Sequence, residues 1–183
     1  ANGATFNNLT VNKLGASDVL LSSQLGLTGQ LSIQASGIDV TSNGNLILRS
    51  ISDGPTGNGS IGPLPGTANV VGDVVVQRYH SAEGPVNRYI SSPVTNARVL
   101  DLQDDFPITG SFTGTSYPCT GCLNNGPSLR YYNEPTLGPF NKGYVQYPPI
   151  GGNNSSLLAV GRGYLAYMWQ GASQITWDVT GPI

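Results

Sequence analysis

Charged side chains are scarce in this sequence. Only 10% of the 183 residues are Asp, Glu, Lys or Arg, against roughly 25% in an average soluble domain. The net charge is -2, and the Lys and Arg residues form no basic cluster. Because nucleic acids attract proteins through clustered cations, we expect no nucleic-acid partner. Asn, Ser, Thr and Gly must instead cover most of the surface.

Long apolar runs are missing as well. No run approaches the ~20 residues that cross a bilayer, and no charged segment with a following apolar stretch marks a signal peptide. We therefore expect no direct membrane insertion. The chain starts at Ala1 and stops at Ile183, inside a segment that reads as a strand and a turn. We expect a piece of a longer polypeptide, truncated at its C-terminus, with any sorting signal elsewhere.

Histidine occurs once, which restricts acid–base catalysis. His80 has Ser81 and Glu83 close by in the sequence, a combination that invites a catalytic interpretation. A serine hydrolase would need the serine on a sharp strand-to-helix turn, and the chain has no G-x-S-x-G. We interpret VVVQRYH and NRYISSPV as two core strands joined by a turn, in which Arg78 and Arg88 make structural hydrogen bonds.

Two other motifs give weak signals for chemistry. GNGSIG at 57–62 matches G-x-G-x-x-G, but Pro63 follows where a phosphate-binding helix should begin, so we expect a turn. Asp101, Asp104 and Asp105 lack the alternation and glycine of a calcium loop and are expected to be a solvated helix end. We predict no catalytic residues, no metal and no cofactor, and hence no enzyme.

The two cysteines, Cys119 and Cys122, form the motif CTGC. A zinc site would need two more ligands, and a thioredoxin-type motif would begin a helix, whereas Gly and Asn residues indicate a loop here. We predict a local disulfide in an exported protein, with two free thiols as the alternative.

Glycine and proline are abundant, with 25 and 13 residues, while Val, Ile, Leu and aromatic residues recur between them. This pattern is typical of many short strands separated by turns, and it predicts an all-β fold. Of the fifteen aromatic residues only Phe6 precedes position 79. We place a domain boundary near Gly72, between a segment at 1–72 and a domain at 73–183.

Residues 1–72 repeat a short alternating theme: NLTVN, DVLLSS, QLSIQ, IDVTS and NLILRS. Alternation places one face of each strand inward. Ladders of Leu, Ile and Val can fill a narrow interior without aromatic residues. We predict β-helix-like (solenoid) repeats, with a flat β-sheet or part of a sandwich as the alternative.

Residues 73–183 contain longer strands and larger side chains. We predict a β-sandwich or jelly-roll-like domain, in which Tyr and Trp fill the core. The segment VTNARVLDLQDDF predicts one short helix, capped by Thr95 or Asn96 and burying Val99, Leu100 and Leu102.

Five strings in order resemble a module of secreted and surface proteins of Bacteroidota: NGNLILRS, SIGPLPGTANVVGDVVVQRYH, NRYISSPV, GPSLRYYNE and AVGRGYLAYM. The resemblance covers about residues 45–183. Such modules occur in type IX secretion cargo, gliding-motility proteins and adhesin-like proteins, so the resemblance implies an extracellular or outer-surface location. It supplies no catalytic residues, and the Cys119–Cys122 segment departs from the pattern.

Two functions fit these observations. The first is a non-enzymatic structural or adhesive module of a larger secreted protein, which assembles into a fibre or stalk with other copies of itself or with flanking domains. The alternative is a carbohydrate-binding module of a secreted polysaccharide-active enzyme, which would bind surface glycans. Its stacking residues would come from exposed aromatics: Tyr131, Tyr132, Tyr144, Tyr147, Trp169 and Trp177.

Overall fold

The computed structural model describes residues 3–15, 17–81, 85–116, 126–168 and 174–183. Strands dominate these residues, and the predicted all-β class is confirmed. Contacts divide the chain into unit 1, residues 1–81 with 176–183, and unit 2, residues 82–175. This division runs after Ser81, and the domain boundary near Gly72 stays a prediction.

The strands are short. Those up to Ser81 are β1 (Ala4–Phe6), β2 (Leu9–Val11), β3 (Val19–Leu20), β4 (Leu25–Leu27), β5 (Gln30–Ile33), β6 (Asp39–Thr41), β7 (Leu46–Leu48), β8 (Ser60–Ile61), β9 (Asn69–Val71) and β10 (Val74–His80). The later elements are β11 (Val86–Ile90), helix α1 (Val99–Gln103), β12 (Leu129–Tyr132), a 3-10 turn (Phe140–Gly143), β13 (Tyr144–Gln146), β14 (Tyr164–Met168) and β15 (Ile175–Gly181).

In unit 1, every third strand pairs in parallel. Strands β1, β4, β7 and β10 follow one another in one sheet, with β15 beside β10, and β2-β5-β8 and β3-β6-β9 form two more sheets. Leu27 lies opposite Leu48, and Leu48 lies opposite Val76. All three side chains are buried. Aliphatic ladders of this kind form the core of unit 1, as the alternating pattern requires.

Neutral polar side chains bind the backbone at the corners between these strands. Ser42 Oγ donates to Asp73 O at 2.5 Å and accepts the Leu46 N–H at 3.0 Å. Asn45 Nδ2 donates to Leu21 O at 2.7 Å. Such neutral groups provide hydrogen bonds to buried backbone atoms, and they avoid the desolvation cost of burying a charge. A chain that uses Ser and Asn in this way needs few charged residues.

Unit 2 contains one antiparallel sheet, in the order β11-β14-β12-β13. Strand β14 alternates between buried and more exposed positions, with Tyr164, Ala166 and Met168 buried. Irregular segments also contribute buried side chains, including Phe106 and Ile108. The predicted sandwich would require a second sheet, and unit 2 has none among the residues that the structure describes.

Helix α1 begins two or three residues later than the sequence predicted. Arg98, not Thr95 or Asn96, precedes its first residue, and the Asp101 carboxylate accepts the Arg98 backbone N–H at 2.7 Å. Asn96 has a φ of 66°, which places it in a turn before the helix. Val99 and Leu102 are buried as expected, whereas Leu100 is 50% exposed because it lies on the opposite side of the helix.

Candidate functional site

His80, the last residue of β10, is held between an acid and an indole. Its Nδ1 lies 3.5 Å from Asp53 Oδ1, in the loop between β7 and β8. Trp177 in β15 donates its Nε1–H to His80 Nε2 at 3.0 Å. The other Asp53 oxygen, Oδ2, accepts the Ser81 backbone N–H at 2.6 Å. The imidazole thus links three separate segments of unit 1.

The contact with Trp177 fixes the role of one imidazole nitrogen. An indole N–H only donates, so His80 Nε2 accepts in this contact, and Nδ1 faces Asp53. A serine nucleophile would transfer its proton to that same Nε2. Because Trp177 occupies this atom, the geometry favours the framework interpretation of His80.

The two arginines near His80 lie in different units. Arg78 Nη1 donates to Gln77 O at 2.7 Å, and partial burial lowers the pKa of the Arg78 guanidinium. Arg88 lies in β11 opposite Ala166 of β14. The strand VVVQRYH lies where it was predicted, whereas the strand predicted at NRYISSPV is shorter and covers Val86–Ile90. The two strands belong to different sheets.

The G-x-G-x-x-G match is a structural loop that leads into strand β8. Gly57 adopts a φ of 81°, which favours glycine. A Cβ at Gly59 would lie 2.4 Å from Leu27 O and 2.7 Å from Leu48 Cα. The glycines are therefore explained by close packing of the backbone, and the strand that follows offers no helix N-terminus to a phosphate.

The outward face of the unit 2 sheet carries most of the exposed aromatic residues of that sheet. Tyr89 lies opposite Leu165, and Leu165 lies opposite Arg130. Asn87 lies opposite Tyr167, and Tyr132 opposite Tyr144. On β11 and β14 these positions alternate with buried or half-buried ones. We call this surface the tyrosine face and define it by Asn87, Tyr89, Arg130, Tyr132, Tyr144, Leu165 and Tyr167.

Three tyrosines on this face form one contact chain. Tyr89 is 70% exposed, and its hydroxyl lies 2.5 Å from that of Tyr144. The rings of Tyr144 and Tyr132 are 5.2 Å apart at 68°, an edge-to-face contact. The hydrogen bond with Tyr89 raises the pKa of Tyr144 above its ordinary value. The rings are not coplanar, but together they fix a partly exposed aromatic surface.

Tyr131 and Tyr147, also predicted as stacking residues, lie on the other side of the sheet. Tyr147 contacts Tyr131 at 6.0 Å and the buried Tyr164 at 5.1 Å between ring centroids. Arg162 stacks over the Tyr131 ring at 4.7 Å. Tyr147 donates its hydroxyl to Leu157 O. Burial raises the pKa of Tyr147 to about 12, which indicates a packing role for this ring.

The tryptophans do not extend the tyrosine face. Trp177 is 3% exposed and is held by His80, so its ring offers no face for stacking on a sugar. Trp169 lies outside the described residues. So do Cys119 and Cys122, and their pairing stays a prediction.

A cavity of about 290 Å³ opens beside the tyrosine face, lined by Asn87, Gly126, Pro127, Ser128, Arg130, Leu165 and Tyr167. Arg130 Nε donates to Pro127 O at 3.1 Å. Ser128 Oγ accepts the Thr109 N–H at 2.8 Å, which fixes one wall. The cavity combines a cation, an amide and aromatic surface.

Sequence reasoning missed Asn87, Tyr89, Arg130 and Tyr167. A signal was available, because Tyr89 precedes the apolar Ile90 and Tyr167 follows the apolar Ala166, so each tyrosine points to the side opposite that neighbour. What the sequence could not provide is the order of the strands. Strand β14 pairs with both β11 and β12, and only this pairing brings the four residues together.

Within the described ranges, no cluster of three or more His, Cys, Asp or Glu residues could hold a metal ion. No helix in the same part of the chain is long and apolar enough to cross a membrane. Comparison with protein-family models, curated proteins and solved structures found no match to this chain.

Proposed function

We propose that this chain is a non-enzymatic structural and adhesive module of a larger secreted or cell-surface bacterial protein. In this proposal, unit 1 is a β-helix-like stack. The observation that supports it most directly is the parallel register: Ala4, Leu25, Leu46 and Val74 pair in succession, at intervals of 21, 21 and 28 residues. The order of the five motifs supports membership of the Bacteroidota family of secreted modules, and with it an extracellular location.

One end of this stack is open to further strands. Strands β1, β2 and β3 each lie at the edge of a parallel sheet. None of their residues is buried, whereas β4, β5 and β6, with which they pair, each bury at least one, and Leu20 in β3 is 63% exposed. Unpaired strand edges bind other strands, and repeat proteins extend by stacking equivalent coils. We propose that a second copy, or a flanking repeat of the same polypeptide, covers this end.

Sedimentation velocity over a range of protein concentrations tests the association. We expect self-association that weakens in Leu20→Lys, because a charge on an edge strand opposes pairing. Leu137→Lys is the matched control, since Leu137 is almost fully exposed in unit 2. A wild-type protein that stays monomeric at every concentration would argue against assembly between copies.

The tyrosine face favours a second function, which is carbohydrate binding by unit 2. Tyr89 and Tyr132 are exposed on a sheet surface that also carries Asn87 and Arg130, so stacking and hydrogen-bonding groups lie together. Tyr132→Ala should weaken binding to an immobilised glycan roughly tenfold, the equivalent of about 1.4 kcal/mol. Leu137→Ala should have no effect. If Tyr132→Ala and Leu137→Ala bind the glycan equally well, the tyrosine face is not the binding site.

A further inference from the structure

Positive charge on the unit 2 sheet is not balanced by any acid within the sheet. Strands β11 to β14 contain two arginines, Arg88 and Arg130, and neither Asp nor Glu. Arg130 belongs to the tyrosine face, whereas Arg88 lies opposite the buried Ala166 on the other face. The outward face of this sheet therefore carries a cation, and an anionic group is the partner that it suits.

The Arg130 guanidinium is oriented before any ligand arrives. Its Nε–H is held by Pro127 O at 3.1 Å, and its two Nη groups have no partner among the residues that the structure describes. A guanidinium presents parallel N–H groups that match the two oxygens of a carboxylate. Because Pro127 O already holds the Nε side of the guanidinium, less conformational entropy is lost when the two Nη groups bind a ligand.

The surroundings of Arg130 suit a sugar ring. The cavity is at the lower end of the roughly 300–1,000 Å³ range of small-molecule sites, and it offers the Asn87 amide together with Leu165 and Tyr167. Tyr89 lies two strands away in the same row, at roughly 10 Å by the spacing of strands in a sheet. A polymer of rings could fill the cavity with one unit and contact Tyr89 with the next.

We propose that this cavity binds an acidic polysaccharide through the carboxylate of a uronic-acid unit. Arg130 forms a bidentate pair with that carboxylate, and Asn87 hydrogen-bonds a ring hydroxyl. Tyr167 and Leu165 contact the apolar side of the ring. This inference rests on the proposed carbohydrate-binding function and adds the chemical class of the ligand.

Calorimetric titration with three forms of one oligosaccharide tests the inference. The probes are a galacturonic-acid oligomer, its methyl ester and the neutral galactose oligomer of equal length. We expect the acid to bind the wild-type protein at least tenfold more tightly than the ester or the neutral form. This comparison needs no variant, so a folding defect cannot obscure it.

Variants then assign the preference to Arg130. Arg130→Gln should remove most of the discrimination between acid and ester. Arg130→Lys keeps the charge but lacks the paired N–H groups of a guanidinium, so it should lose part of the affinity for the acid. Arg162→Gln is the matched control, because this exposed arginine stacks on Tyr131 away from the tyrosine face. It should bind the acid as the wild-type protein does.

The remaining outcomes separate this inference from the proposed function. Equal binding of all three oligomers, weakened by Tyr132→Ala and unaffected by Arg130→Gln, would overturn the acidic ligand and keep carbohydrate binding. No binding of any form would contradict both. A poly-glutamate peptide, or sulfate alone, that competes as well as the uronic acid would overturn the assignment to a sugar.

Discussion

Substitution of Gly59 by alanine should destabilise unit 1 strongly. Gly59 lies in the loop before β8, and its N–H donates to Arg49 O at 2.6 Å. An added Cβ would meet three backbone atoms at 2.4, 2.7 and 2.9 Å, those of Leu27 O, Leu48 Cα and Arg49 N. Backbone atoms inside a paired sheet cannot rotate away, so the loop itself must move.

The size of the effect follows from this geometry. Non-bonded carbon contacts are favourable at roughly 3.5–4.0 Å, so the loop must shift by about 1 Å. Forced overpacking costs roughly 1–3 kcal/mol, and the loss of one backbone hydrogen bond adds about 1 kcal/mol. Alanine restricts the unfolded chain, which offsets about 0.5 kcal/mol. We therefore expect the free energy of unfolding to fall by about 1.5–3.5 kcal/mol.

Urea denaturation followed by the fluorescence of Trp177 measures this loss. The experiment uses a Trp169→Phe background, so that the buried indole of unit 1 is the only tryptophan reporter. Gly54→Ala is the control, because its Cβ would meet no backbone atom and only one side-chain atom, the Ser52 hydroxyl at 3.1 Å. Its effect should stay within about 0.5 kcal/mol. If Gly59→Ala unfolds at the same urea concentration as Gly54→Ala, the packing argument is wrong.

Two further predictions concern titration and redox chemistry. The pKa of Tyr147 is raised from 10.0 to about 12, so the stability it contributes is complete below pH 10 and is lost as the pH rises to about 12. For this partly exposed ring the loss of stability is on the order of 1 kcal/mol. The difference in unfolding free energy between the wild-type protein and Tyr147→Phe should therefore shrink between pH 10 and about pH 12. A difference that stays constant over this range would contradict the prediction. Thiol titration of the protein under denaturing, non-reducing conditions should find Cys119 and Cys122 joined, and two titratable thiols would exclude the disulfide.

The inward-facing side chains of several strands in unit 1 could be predicted from the sequence of each strand alone. Leu31, Ile33 and Val40 alternate with polar neighbours, and period-two alternation places them inward without knowledge of their partners. The pairing of unit 2 could not be predicted in the same way. The order β11-β14-β12-β13 brings together strands far apart in sequence, and alternation carries no information about which strands are neighbours.

The candidate site shows the same limit. Tyr132 and Tyr144 were predicted from their residue type, and they lie on the outward face because their alternation happens to agree. Tyr131 is adjacent to Tyr132, so it must point to the opposite side of the strand. Trp177 has the residue type of a sugar-binding platform but donates to His80, an interaction between residues 97 positions apart. Contacts over such distances are set by the tertiary fold.

The position of β15 gives the chain a distinctive response to mechanical load. Strands β1 and β15 occupy opposite edges of one five-stranded sheet, four strand spacings or roughly 19 Å apart. A force that pulls these two strands apart acts across the sheet, along its ladder hydrogen bonds. Strands β10 and β15 are neighbours in that sheet and flank unit 2 in the sequence. Because β10 and β15 are hydrogen-bonded to each other, a force that pulls on these two strands is resisted by their own ladder before it reaches the chain between them.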